Sequence, residues 1–288
     1  MMQLFVKLIL PIVGLGAIAY LFLCSALLLW QNRLIFFPSS VIENTPDDLG
    51  LAYEDVWIPI ANDGGKIDHL HGWWINAPSQ NNRVLLHLHG NAENIGSNLG
   101  KAQLFHLLGF NVLLIDYRGY GLSQGKFPTE AQVYHDAQMA WDYLIQRRGI
   151  KPQDIFVYGH SLGGAIAINL AVKNPEMAGL IVEGSFTSIS DMVDHREVYA
   201  LFPGNFLLHQ QFDSINKIKS LQMPLLLIHG KDDDTVPARM SEVLFNAATV
   251  PKKLLIVPNA GHNDVASVGD EEYFVTVRDF CQSVVEEN

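Results

Sequence analysis

Tyr158-Gly159-His160-Ser161-Leu162-Gly163-Gly164 is the stretch that decides how this chain folds. The apolar run Ile155-Phe156-Val157-Tyr158 reads as a short buried strand, and Ala165 to Val172 reads as a helix that opens at the turn. Gly-x-Ser-x-Gly between a strand and a helix is a sharp turn that holds the serine backbone in a sparsely populated conformation. Its Oγ is thereby lifted clear of the sheet edge. Glycines on either side of the serine remove the Cβ atoms that would collide where strand and helix converge. The helix start aims free N–H groups and a positive dipole end at any anion formed there. Ser161 is therefore the candidate nucleophile.

A serine hydroxyl needs a base and an orienting carboxylate, and in this setting they follow in the order Ser, acid, His, each in a loop after a strand. His229-Gly230-Lys231-Asp232-Asp233-Asp234-Thr235-Val236-Pro237 follows the apolar run Leu225–Ile228. Pro258-Asn259-Ala260-Gly261-His262-Asn263-Asp264 follows Leu254–Val257. His262 is the expected base. Three adjacent aspartates compete for the acid; Asp233 is preferred, with Asp232 and Asp234 as alternatives.

A tetrahedral oxyanion needs two fixed N–H donors. Leu162 N–H is one candidate, and Asn91 N–H in His87-Leu88-His89-Gly90-Asn91-Ala92 is the other, because Gly90 lets the backbone turn inward. The donors are backbone groups, so the side chains of Asn91 and Leu162 need not matter to them. His87 and His89 share one strand face at a spacing that can hold zinc. No cysteine or carboxylate is placed to join them, so buried, hydrogen-bonded histidines are preferred and no metal or cofactor is expected. Asp116-Tyr117-Arg118-Gly119-Tyr120-Gly121 is expected to be a bent loop held by an Asp/Arg network.

From Leu8 to Asn32 the sequence has no charged residue, which is enough apolar length for a membrane-spanning helix. Pro11 falls near its expected start. A cleaved signal peptide is the rival reading, but the run continues through Leu27-Leu28-Leu29-Trp30 without a small-x-small cleavage site, so an uncleaved single-pass anchor is preferred. Lys7 and Arg33 flank the run and specify orientation poorly, with a weak lean to an extracytoplasmic soluble part. Residues 1–38 are assigned to the anchor and its exit segment, and 39–288 to one domain.

Strands are expected at Leu51–Ile60 and Lys66–Ala77 around a turn at Asn62-Asp63-Gly64-Gly65, then at Arg83–His89, Asn111–Asp116, Gly179–Glu183, Pro224–His229 and Lys252–Val257. Helices are expected from Ile95 to Gly109, after the capping box Thr129-Glu130-Ala131-Gln132, over Pro237–Ala248 and over Asp270–Val285. This alternation predicts a mostly parallel sheet with helices on both faces, entered by an antiparallel hairpin. Ile189–Met223, with Val198, Tyr199, Leu201, Phe202, Phe206, Leu207 and Leu208, reads either as an acyl-pocket lining or as a helix pair packed on the sheet.

The net charge of -11 argues against nucleic acid and against anionic headgroups as partners. The expected partners are a small or lipid-like acyl substrate and the membrane. The two cysteines, Cys24 and Cys281, allow no disulfide within the soluble part.

Taken together, these residues resemble the α/β-hydrolase superfamily, and within it the membrane-anchored Bem46-like branch that includes the mammalian alpha/beta hydrolase domain-containing proteins 13 and 17. The likeness rests on the anchor and its Gln31–Pro38 exit, His89-Gly90-Asn91-Ala92, Asp116–Gly121 with Ser123 and Gly125, Gly159–Gly164, His229-Gly230-x-x-Asp233-x-x-Val236-Pro237 and Gly261-His262-Asn263-Asp264. It implies a triad of Ser161, Asp233 and His262 and an oxyanion hole at Asn91 and Leu162, and it favours Asp233 over its neighbours. A cysteine cluster for lipidation is absent, so a depalmitoylase role is not carried over. The expectation is a serine hydrolase acting on esters or thioesters. An amidase or aminopeptidase, or a catalytically idle fold used as a binding module, are the rivals.

Overall fold

The computed structural model describes residues 2–62, 64–78, 82–195 and 207–286. Eight strands form one sheet in the order β10-β9-β8-β7-β4-β6-β3-β2. Here β2 is Tyr53–Ala61, β3 Ile67–Ile75, β4 Val84–Leu88, β6 Asn111–Ile115, β7 Ile155–His160, β8 Gly179–Glu183, β9 Leu225–Gly230 and β10 Lys252–Val257. The β2–β3 and β3–β6 pairs are antiparallel and all the others parallel, so the hairpin is appended to a parallel sheet as its alternating pattern requires. Two more strands, β1 (Phe37–Pro38) and β5 (Ala92–Glu93), pair in parallel as a separate two-stranded ribbon beside the sheet.

The parallel strands are apolar throughout because helices cover both faces. Helices α3 (Glu130–Gln146), α4 (Leu162–Lys173) and Arg239–Ala247 pack on one face through Val133, Trp141, Ile166, Leu170 and Leu244. Helix α2 (Leu99–Leu107) and the C-terminal run Val265–Glu286 pack on the other through Phe105, Tyr273, Val277 and Phe280. That C-terminal run starts earlier than the sequence suggests and breaks at Asp270, whose φ is 40°. Thr129 caps α3 by accepting the Gln132 N–H, but Gln132 answers the Thr129 hydroxyl rather than its N–H, so the box is half made.

The N-terminal helix α1 runs from Met2 to Ile35, so Pro11 lies within it and the expected exit segment continues it by a turn. Its apolar part, Leu10–Ile35, is long enough to cross a membrane and almost wholly exposed along its length. At its end Phe36 enters the core against Phe212.

One buried ion pair ties three elements together. Lys101 of α2 donates to both oxygens of Glu183 at the end of β8 (2.6 and 2.8 Å), and Tyr273 of the C-terminal run donates to Glu183 Oε2 (2.6 Å). Burial alone would raise the Glu183 pKa, but Lys101 and the bonds around it hold it below the ordinary value. Removing one partner of a buried pair strands the other charge. Lys101→Met should therefore cost about 3–5 kcal/mol of unfolding free energy. Adding Glu183→Gln should recover part of the loss, both read from urea denaturation.

Candidate active site

Ser161 sits at the junction of β7 and α4 with φ 54° and ψ −120°. A Cβ on Gly159 would be driven into the Gly163 carbonyl, and one on Gly163 into the Leu88 carbonyl, so strand and helix meet this closely only with glycine at both positions. The turn is held by Ser161 N–H to Glu183 O (2.8 Å), Gly164 N–H to Ser161 O (3.0 Å) and the Ser185 hydroxyl to Ser161 O (2.8 Å).

His262 Nε2 lies 3.0 Å from Ser161 Oγ, and its Nδ1 lies 2.6 Å from Asp233 Oδ2. Asp233 Oδ1 accepts the N–H groups of Thr235 and Val236, each at 2.8 Å. Asp232 and Asp234 are exposed, so of the three aspartates it is Asp233 that the loop turns inward. Burial alone would raise the Asp233 pKa; hydrogen bonds from His229, His262 and Val236 outweigh it and hold the carboxyl well below the usual carboxylate range.

Two supporting histidines were not assigned a role from the sequence. His229 Nε2–H is shared between Asp233 Oδ2 (3.1 Å) and Val236 O (2.8 Å), with its Nδ1 against the Ser241 hydroxyl (2.7 Å). It braces the acid from beneath, and its place four residues before Asp233 was the available signal. His160, inside the serine motif, donates from Nε2 to the His262 carbonyl (3.1 Å) and lays its ring 4.9 Å from the His262 ring.

Asn91 and Leu162 both border the same cavity as Ser161. The Asn91 carbonyl accepts the Phe37 N–H (2.8 Å) and the Tyr120 hydroxyl (2.7 Å). Its side chain has a separate structural part: Nδ2 donates to Ile35 O (2.8 Å), closing the end of α1 over the loop. The Asp/Arg network differs from expectation. Arg118 pairs with Asp136 of α3, while Asp116 accepts the Ile95 N–H and lies 3.5 Å from His89 Nε2. The His87 nitrogens have no hydrogen-bond partner among the described residues.

The cavity above Ser161 holds about 440 Å³, within the usual range for a small-molecule site. Leu34 and Ile35 of α1, Phe186, Ile189, Met192 and Leu208 are among its walls, and no charged side chain lines it among the described residues. Of the Ile189–Met223 insertion, Ile189, Met192, Val193, Leu207 and Leu208 border the cavity; Val198, Tyr199, Leu201, Phe202 and Phe206 lie outside the described residues.

Known proteins share this arrangement of elements. The family model for serine aminopeptidase, S33 matches residues 79–211, and that for PhoPQ-activated pathogenicity-related protein matches 193–288. The chain is 35% identical to protein bem46 of Schizosaccharomyces pombe over 87% of its own length and 85% of that protein's. It is 31% identical to alpha/beta hydrolase domain-containing protein WAV2 of Arabidopsis thaliana, over 91% and 90%. The chain belongs to the Bem46-like α/β-hydrolases. The esterase Pf2001 of Pyrococcus furiosus superposes with a TM-score of 0.72 at 24% identity, covering 86% of this chain and 98% of that one, and shares the fold.

In this Bem46-like hydrolase four buried groups near the site are held neutral by burial. Burial lowers the pKa of His87 to about 3 and of His89 and His160 to about 4, and raises Asp116 to about 8. The three histidines have folded values below the free 6.5, so as pH falls the unfolded chain takes up protons first. Their contribution to stability is complete above about pH 6.5 and is lost toward about pH 4. Asp116 has the opposite sign, since it keeps a proton that the unfolded chain releases. Its contribution is complete below about pH 4 and is lost as pH rises to about 8. With three groups against one, the urea midpoint should fall on acidification from pH 6.5 to 4, and Asp116→Asn should steepen that fall.

Proposed function

We propose that this Bem46-like hydrolase is a membrane-anchored serine hydrolase that cleaves carboxylic ester or thioester bonds through an acyl-enzyme. The observation that carries the reading is the unbroken contact Ser161 Oγ–His262–Asp233, at 3.0 and 2.6 Å, beneath an apolar cavity. Ser161 Oγ attacks the acyl carbon while His262 Nε2 takes its proton, and ionised Asp233 fixes the imidazole tautomer and stabilises the imidazolium. The N–H groups of Leu162 and Asn91 receive the oxyanion. His262 then returns the proton to the leaving group, and water hydrolyses the acyl-enzyme by the same relay.

An ester or thioester with an uncharged acyl part is favoured over an aminopeptidase substrate. An amino-terminal ammonium needs a carboxylate in the pocket, and the described walls offer none. Retention of α1 as a single-pass anchor is supported by its junction with the domain, where Gln31, Ile35 and Phe36 are bonded or packed into the fold. Lys7 at its start keeps an extracytoplasmic domain the preferred orientation.

Wild-type membranes should react with a fluorophosphonate probe, and Ser161→Ala should abolish labelling and cut ester turnover on the order of a million-fold. Persistent labelling of the variant would refute Ser161 as nucleophile. Faster cleavage of aminoacyl amides than of acyl esters would favour the aminopeptidase instead.

A further inference from the structure

We infer that the N-terminal helix is itself one wall of the substrate pocket, and that the substrate is an uncharged long-chain acyl ester that passes from the bilayer along this wall to Ser161. The inference rests on the hydrolase reading above and extends it to the substrate and its route.

The wall is built from one stripe of α1. Leu27, Gln31, Leu34 and Ile35 border the cavity at helical spacing, opposite Met192 and Leu208. Leu28, Leu29 and Trp30 face away and are exposed. The stripe is fixed in place and does not merely rest against the domain. Gln31 is 5% exposed; its Nε2 donates to Leu207 O (2.9 Å), and its Oε1 accepts the N–H groups of His209 (3.1 Å) and Gln210 (3.0 Å). A turn later the Ile35 carbonyl takes the Asn91 side chain, next to Ser161 in the cavity wall.

Helix length sets the depth of this wall. The apolar part of α1 has 26 residues, about 39 Å at 1.5 Å each, against a hydrocarbon core of about 30 Å. Twenty residues from Leu8, where the uncharged run begins, reach Leu27, so Leu27 lies at the hydrocarbon edge and Trp30 falls at interface depth. The pocket wall thus begins at the edge of the hydrocarbon core and ends at Ser161. Leu34 and Phe37 border the cavity while remaining 53% and 52% exposed, so the cavity is open on the side of the helix. An acyl chain entering there exchanges lipid for Leu, Ile, Phe and Met and loses no apolar burial on the way. The absence of charge among the described walls selects an uncharged group at the scissile bond.

The test uses the full chain reconstituted in vesicles and an ester series from acetyl to palmitoyl, with fluorophosphonate labelling of each variant as the check on folding. Leu27→Trp should lower the palmitoyl-to-acetyl ratio of kcat/KM by about tenfold or more, and Leu27→Ala should move the ratio the other way. An unchanged ratio in labelled Leu27→Trp and Leu27→Ala protein overturns the inference while leaving the hydrolase intact. A wild-type chain that neither labels nor cleaves any ester overturns the hydrolase reading itself, and the inference with it.

Discussion

The whole site depends on how closely two backbones approach at Gly159 and Gly163. With no Cβ at either position, β7 and α4 converge against the end of β4, and the residue between them is forced to a positive φ that a serine does not adopt freely. Three hydrogen bonds from β8, α4 and Ser185 hold that conformation. Parallel pairing brings the ends of β4, β7, β8, β9 and β10 to one rim, so the loops carrying Asn91, Ser161, Asp233 and His262 meet without any of them being long.

Much of this was legible in the sequence, for a physical reason. Buried parallel strands must be apolar, and the turns that follow them must carry glycine or polar residues, so strand order and the Ser, Asp, His succession are written locally. Asp233 is preferred over Asp232 and Asp234 from the sequence through the resemblance, and the fold adds the physical distinction, burial and the N–H groups of Thr235 and Val236. Contacts between distant residues left no local trace. Lys101, Glu183 and Tyr273 are each unremarkable in their own stretch, and they form a unit only because two helices pack on one face of the sheet at the end of β8. The loop Asp116–Gly121 reads as one held by an Asp/Arg network, but the aspartate that Arg118 binds, Asp136, comes from the next helix.

The supporting residues around His262 act on its position more than on its charge. His160 holds the loop by its carbonyl, and His229 holds the aspartate that faces it. Both are buried imidazoles used as hydrogen-bond donors, chemistry for which a neutral ring suffices. A histidine set between two such braces, as His262 is, keeps its ring orientation without help from a ligand.

The Gln31 clamp also governs how α1 is set against the domain. A tether that ends in a flexible linker lets the attached body swivel and tilt, but here the helix passes into the domain through bonds at Gln31 and Ile35 with no hinge between them. Azimuth and tilt are therefore set together. The upper part of α1 and the mouth of the cavity hold one fixed relation, and one residue inserted between Leu27 and Gln31 would turn the two apart by about 100°.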